Sequence, residues 1–239
     1  MNDKIIELNF TVKLKETVKY EDIPFKLSNA INYFFTLNEE LKMFHKENKI
    51  KLYCYEMFSD IEKDKIYKAN KIYYFKMRFM DLKLAELFYK SVLTLKSCNL
   101  FNVIGVTPSK LIIDKKVKFI YNITPAILTI NNRNKVFTNS KEDIELLKEH
   151  IIKNTVKKFN LLNNSNEKYE DYMHIIKDIK VKNKCGIKFN YKNGIMLGNK
   201  FDIEISEDFS SQMLVKVMLG AGILEKNGLS FGYCSYKGV

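Results

Sequence analysis

The sequence predicts an α+β protein in which one succession of elements, strand, helix, strand, strand, helix, strand, runs twice. Three observations carry that expectation. Residues 6–14 alternate strictly between apolar and polar side chains, residues 81–96 carry apolar side chains at helical spacing, and from residue 116 onward the same order of patterns begins again. With 239 residues, 46% of them hydrophobic and 13% aromatic, the chain can bury a core for each run.

In the first half, Ile6, Leu8, Phe10, Val12 and Leu14 face one way, and Glu7, Asn9, Thr11 and Lys13 the other, as in a half-buried strand. Leu27, Ile31, Phe34 and Phe35 then recur at helical spacing, with Pro24 suited to the first turn. Asn38 can cap a second, short helix running towards His45, with Glu39 and Glu40 near its positive end. Segments 49–58 and 71–80 are rich in aromatic and branched residues and read as strands. Asp81 caps a helix whose Leu84, Leu87, Phe88, Ser91, Val92 and Leu95 share a face, and a strand follows around 101–113.

The second half opens with a strand over 116–130, interrupted at Pro125. Ser140 caps a long helix carrying Ile144, Leu147, Ile151, Ile152, Val156 and Phe159, and the polar run 161–172 reads as a loop. Two strands, 179–191 and 195–206, turn at Asn193-Gly194. Ser206 caps a last helix through Phe209, Met213, Leu214 and Val217, before a glycine-rich loop and a short final strand. Each half has the order of a ferredoxin-like unit, so two tandem ferredoxin-like (βαββαβ) domains are expected, 1–114 and 115–239.

Several function classes are excluded at this level. No stretch is long and apolar enough for a transmembrane helix, and the N-terminus alternates where a signal peptide would be continuously apolar, so a cytoplasmic location is expected. The four cysteines (Cys54, Cys98, Cys185, Cys234) show no C-x-x-C spacing, and His45, His150 and His174 form no i, i+3 or i, i+4 pair. Free thiols are expected, with no metal site and no cofactor. The net charge of +12 points to a polyanionic partner such as nucleic acid. Arg78 and Arg133 are the only arginines among the 40 basic residues, a lysine bias that an AT-rich coding sequence also produces.

Three groups of residues can carry chemistry. Residues 220–234, "GAGILEKNGLSFGYC", hold four of the nine glycines. Gly220, Gly222, Gly228 and Gly232 allow backbone to approach a ligand, and Lys226 and Asn227 add a charge and an amide; the competing reading is a helix C-cap and an ordinary turn. The loop follows a helix and opens a strand, and it lacks G-x-x-x-x-G-K-[ST], which excludes both phosphate-binding nucleotide motifs. Lys180, Lys182 and Lys184 on one strand face would form a ladder for a single-stranded phosphate backbone, or a lysine-defended edge. His45 ends its helix among Lys46, Lys49 and Lys51, which would lower its pKa and supply positive charge to a developing phosphorane. His150 and His174 read as structural or solvated.

Together these segments resemble the CRISPR repeat-processing endoribonucleases of the repeat-associated RNA-binding superfamily. Gly220, Gly222, Lys226, Asn227, Phe231 and Gly232 match in order that family's C-terminal glycine-rich motif, with Ser230 where the first glycine of the closing G-F-G usually stands. "FHKENKIKLYCYEMF" resembles the family's histidine, basic loop and following strand. The resemblance implies metal-independent cleavage of CRISPR repeat RNA in the precursor transcript. The RNA's own 2′-OH attacks, leaving a 2′,3′-cyclic phosphate and a 5′-OH and releasing guide RNAs. It implies His45 and Lys51 as catalytic residues. Tyr33 offers the tyrosine that many members take from the first helix, although Ser28 and Asn29 lie nearer that slot by direct spacing. Expected partners are repeat RNA and a CRISPR effector complex, with no membrane and a monomer or homodimer as the state of assembly. The alternatives are a non-cleaving RNA-binding subunit of such a complex, or a basic nucleic-acid-binding domain outside it.

Overall fold

The computed structural model describes residues 4–47 and 49–238. In the first half, β1 (Ile5–Leu14) leads to α1 (Ile23–Phe35), α2 (Glu39–Lys46), β2 (Tyr53–Tyr55), β3 (Ile72–Phe79), α3 (Leu82–Leu95) and β4 (Phe101–Leu111). These strands form one antiparallel sheet ordered β2-β3-β1-β4. In the second half, β5 (Val117–Asn122), α4 (Lys141–Asn163), β6 (Ile176–Val181), β9 (Phe201–Ile205), α5 (Phe209–Ala221) and β10 (Cys234–Gly238) form a second sheet ordered β6-β9-β5-β10. Between β6 and β9 the chain makes a separate hairpin, β7 (Ile187–Tyr191) with β8 (Gly194–Gly198). Both sheets place their first and third strands at the centre, the ferredoxin-like arrangement that the sequence predicts twice over.

Local chemistry fixes the helix starts. Asn38, Asp81 and Ser140 each accept a bond from the backbone N–H three residues on, at 3.1, 3.0 and 3.3 Å, and so satisfy donors that the first turn leaves unpaired. The last helix differs from expectation. Asp208 caps it through the Ser211 N–H at 3.0 Å, because the first helical residue is Phe209, while the Ser206 hydroxyl donates to the His174 carbonyl. The run 161–172 is also not all loop, since α4 continues to Asn163 and a 3₁₀ stretch covers Tyr169–Ile175.

The two cores differ in kind. The first is aromatic, with Phe10 stacked on Phe75 at 4.4 Å and Phe35 within 5.2 Å of Tyr53 and 4.7 Å of Phe88. The second is aliphatic, built from Leu147, Ile151, Ile152, Ile203, Ile205, Leu214 and Met218. They interlock. Phe189 of the hairpin and Phe231 of the glycine-rich segment belong to the first core, while Ile5 and Met80 belong to the second. No helix among the described residues is long and apolar enough to cross a membrane.

Candidate functional site

Where the halves meet, the end of α1, the end of α2, one face of α4 and the glycine-rich loop enclose a cleft of about 320 Å³. His45 lies in its wall, in the last turn of α2, with its ring stacked on Phe35 at 5.7 Å and 21°. Burial holds its pKa below the ordinary histidine value, and the nearby Lys51 charge adds to the effect. The imidazole therefore favours its neutral form more than an ordinary histidine does. Its Nδ1 is buried without a hydrogen-bond partner among the described residues, so one ring nitrogen is uncommitted.

Lys51 also lines the cleft, but its ammonium is engaged. It donates to the carbonyls of Phe44 at 2.5 Å and Glu47 at 2.8 Å, with that of His45 at 3.4 Å, and lies 4.5 Å from the centre of the Phe44 ring. It closes the negative end of α2 and so anchors the turn that carries His45. Segment 49–58, expected as a strand, is one only over Tyr53–Tyr55. Lys49 and Lys226 bring further positive charge to the wall, against Glu225 as the acidic side chain.

The third expected catalytic residue is elsewhere. Tyr33 is 43% exposed and does not line the cleft; the residue of α1 that does is Asn32, about 100° away around the helix. Ser28 and Asn29 are not in the cleft either: Ser28 is buried and bonded to the Phe25 carbonyl, and Asn29 is exposed.

The glycine-rich loop is folded on itself. Its hub is Asn227, 6% exposed, whose amide donates to the carbonyls of Ile223 and Phe231, both at 3.0 Å, and whose Oδ1 accepts from Lys158 at 2.7 Å. Lys158, 1% exposed on α4, also donates to the carbonyls of Gly222 at 2.7 Å, Leu224 at 3.2 Å and Ala221 at 3.3 Å. Burial pushes this ammonium down to about 7. Most of the glycines serve the same closure rather than access for a ligand. A Cβ on Gly232 would stand 2.1 Å from the Ile223 carbonyl oxygen, one on Gly222 2.5 Å from the Asn227 amide, and one on Gly220 1.9 Å from the Met80 sulfur. Asn227 thus spends its side chain inside the loop, contrary to its expected role as a ligand contact. Of the predicted loop residues, exposed Lys226, Asn227, and Gly228, whose carbonyl accepts from the Tyr55 hydroxyl at 2.7 Å, line the cleft.

Lys180, Lys182 and Lys184 are exposed but do not make a ladder. β6 ends at Val181, Lys182 is paired with Asp202 at 2.6 Å, and Asp178, Asp202 and Glu204 share the hollow into which Lys180 and Lys182 face. Charges of both signs suit a solvated sheet edge, and β6 is the edge strand.

Sequence reasoning passed over Asn32, Asn154 and Lys158, all on the cleft wall. Lys158 left a signal, because it falls at i+7 from Ile151 on the apolar stripe of α4. Among the described residues, no group of three or more His, Cys, Asp or Glu side chains is disposed to hold a metal ion.

No protein-family model and no curated protein matches the sequence. Solved structures do match the fold. A CRISPR associated protein Cas6 superposes with a TM-score of 0.70 at 18% identity, covering 98% of this chain and 99% of the other. A RAMP protein described as binding different RNA substrates gives 0.71 at 11% identity over 97% and 99%. A Cas6-related protein from Pyrococcus furiosus gives 0.68 at 12% identity over 98% of both chains. From end to end, the chain has the fold of the CRISPR-associated Cas6 and RAMP proteins.

Proposed function

We propose that this protein is a CRISPR repeat endoribonuclease that cuts the precursor transcript within its repeats without a metal ion. The observation that carries the proposal is His45. Its imidazole, with a pKa held below the ordinary histidine value, lies in a lysine-rimmed cleft, on a fold shared with a CRISPR-associated Cas6 protein and a RAMP protein described as binding RNA. In the reaction the 2′-oxygen forms a bond to phosphorus as the bond from phosphorus to the 5′-oxygen breaks. His45 takes the 2′-OH proton, a water molecule protonates the departing 5′-oxygen, and the charges of Lys51, Lys49 and Lys226 stabilise the pentacovalent phosphorane. Lys51 acts by charge and by holding the α2 turn, since carbonyls already occupy its protons.

Incubation of repeat RNA in EDTA, read on a denaturing gel, tests this. His45→Ala should slow cleavage by about 10²–10⁴-fold, the span of one general base, while RNA affinity stays within a few-fold. Cleavage that needs magnesium, or that survives loss of His45 unchanged, overturns the proposal.

One observation favours a second reading, a non-cleaving RNA-binding subunit of a CRISPR effector complex. Tyr33 lies outside the cleft, so His45 acts there without the tyrosine that the family resemblance implies. That reading predicts tight RNA binding with no cleavage by the unaltered protein.

A further inference from the structure

Tyr53, the first residue of β2, has an enclosed ring. The rings of Phe35, Phe79 and Phe44 lie 5.2, 5.7 and 6.3 Å from it, centre to centre, and the residue is 1% exposed. Its hydroxyl escapes that enclosure. The hydroxyl makes no hydrogen bond among the described residues, and it is not one of the unpartnered atoms sealed from solvent, which are Asn32 Oδ1, His45 Nδ1, Asn154 Oδ1 and Ser230 Oγ. It lies against the glycine-rich loop. A Cβ on Gly228 would stand 3.3 Å from the Tyr53 hydroxyl oxygen, nearer than to any other atom around it, and both residues line the His45 cleft. The part of Tyr53 that reaches the cleft is therefore its hydroxyl.

A phenol buried to this degree ordinarily finds a partner. The neighbouring Tyr55 does so, by donating to the Gly228 carbonyl at 2.7 Å. The Tyr53 hydroxyl has only what enters the cleft, and Gly228 has no side chain to cover it. Burial pushes the phenol's pKa up, so the group keeps its proton and offers it as a donor. Exposed Lys49 and Lys226 border the same space. Cationic N–H and O–H donors together match the non-bridging oxygens of a phosphodiester, which accept hydrogen bonds and carry charge. The position is also rigid. The buried Phe35 ring stacks on Tyr53 at 28° and on His45 at 21°, so one ring fixes the hydroxyl and the imidazole relative to each other.

We propose that Tyr53 is a further catalytic residue of this cleft, whose hydroxyl donates a hydrogen bond to a non-bridging oxygen of the scissile phosphate. The bond strengthens as that oxygen gains charge in the phosphorane. This rests on the proposed function, because it takes the ligand of the His45 cleft to be RNA. Tyr53 transfers no proton, so those steps stay with His45 and water. It comes from β2, and so is not the tyrosine of the first helix that the resemblance implies.

Tyr53→Phe removes this oxygen and keeps the ring. Single-turnover cleavage of repeat RNA in EDTA should slow by about 10²–10³-fold, the worth of one preorganised donor to developing charge. The dissociation constant of a 2′-deoxy, uncleavable RNA should stay within a few-fold. Tm should hold, since no hydrogen bond within the protein is lost. Sulfur in place of each non-bridging oxygen at the cut then locates the contact. The unaltered protein should discriminate between the two phosphorothioate stereoisomers, and Tyr53→Phe should lose most of that discrimination, a change that a packing role would not produce. Undiminished cutting by Tyr53→Phe, the same stereoisomer ratio in both proteins, or a clear fall in Tm overturns the role of Tyr53 and leaves the nuclease reading standing. An unaltered protein that binds RNA without cutting it overturns both.

Discussion

Ser230 sits in the left-handed region, with φ of 63°, fully buried, its hydroxyl without a partner. A left-handed conformation costs a non-glycine residue about 1–3 kcal/mol, and an unsatisfied hydroxyl adds to that. Ser230→Gly should therefore stabilise the protein by about 1 kcal/mol, after allowance for the greater freedom of glycine in the unfolded chain. Thermal melting reads this as a rise in Tm; a fall would mean that the hydroxyl has a partner. The glycine that the resemblance places there is thus explained by backbone geometry rather than by RNA. His45 gives a second prediction at the same scale. Its folded pKa lies below the ordinary histidine value, so the proton acceptor stays available at lower pH than in an ordinary imidazole. The acid limb of the cleavage rate should lie below the ordinary histidine pKa. Lys51→Ala, which removes a charge that depresses the imidazole, should move this acid limb to higher pH. A limb that stays in place would separate Lys51 from His45.

At the scale of elements, the glycine-rich segment is a closed loop locked to α4 by Lys158 and Asn227. Gly232→Ala should destabilise the protein by more than about 2 kcal/mol, since it adds a contact with backbone 2.1 Å away to the strain of a φ of 69°. Denaturant unfolding checks it, and a neutral outcome would refute the closed loop. How far elements were legible depended on how local their causes are. Asn38, Asp81 and Ser140 were readable as caps because a cap bonds an amide three residues away. The β7–β8 hairpin was merged into its neighbours because β6 pairs with β9 across it, a long-range register that no local pattern records. The cleft was half-legible for a similar reason. His45 and Lys51 are near in sequence, whereas Asn32 and Asn154 line one space only because α1 and α4 both border the cleft in three dimensions.

For the whole molecule, the contact between the halves matters as much as either sheet. Arg78 on β3 is 5% exposed and donates to Glu7 at 2.7 Å and to the carbonyls of Cys234 at 2.7 Å and Leu219 at 3.1 Å, with its guanidinium 4.3 Å from the Tyr233 ring centre. Burial alone would raise the Glu7 pKa, but Arg78 and Lys76 hold it below the ordinary carboxylate value. Its contribution to stability is therefore complete above about pH 4.5 and is lost as pH falls below it. Arg78→Ala should cost about 3 kcal/mol, because it removes the buried partner of Glu7, which keeps only Lys76 and the Tyr233 hydroxyl, and takes the donor from two buried carbonyls. Arg133→Ala, at the exposed second arginine, should change stability by less than about 0.5 kcal/mol. Equal effects would show that the junction is not what holds the halves together. We propose the segment between β4 and β5 as the boundary of the two domains, with the cleft as their shared product.

The central claim, that this cleft cuts RNA by means of His45, is tested most directly by one gel. A repeat RNA and its counterpart with a single 2′-deoxy nucleotide at the cut are incubated in EDTA with the unaltered protein and with His45→Ala. The account predicts one product pair, ending in a 2′,3′-cyclic phosphate and a 5′-OH, from the all-ribose RNA and the unaltered protein alone. Cleavage of the deoxy-substituted strand at the same site, or undiminished cutting by His45→Ala, would contradict it.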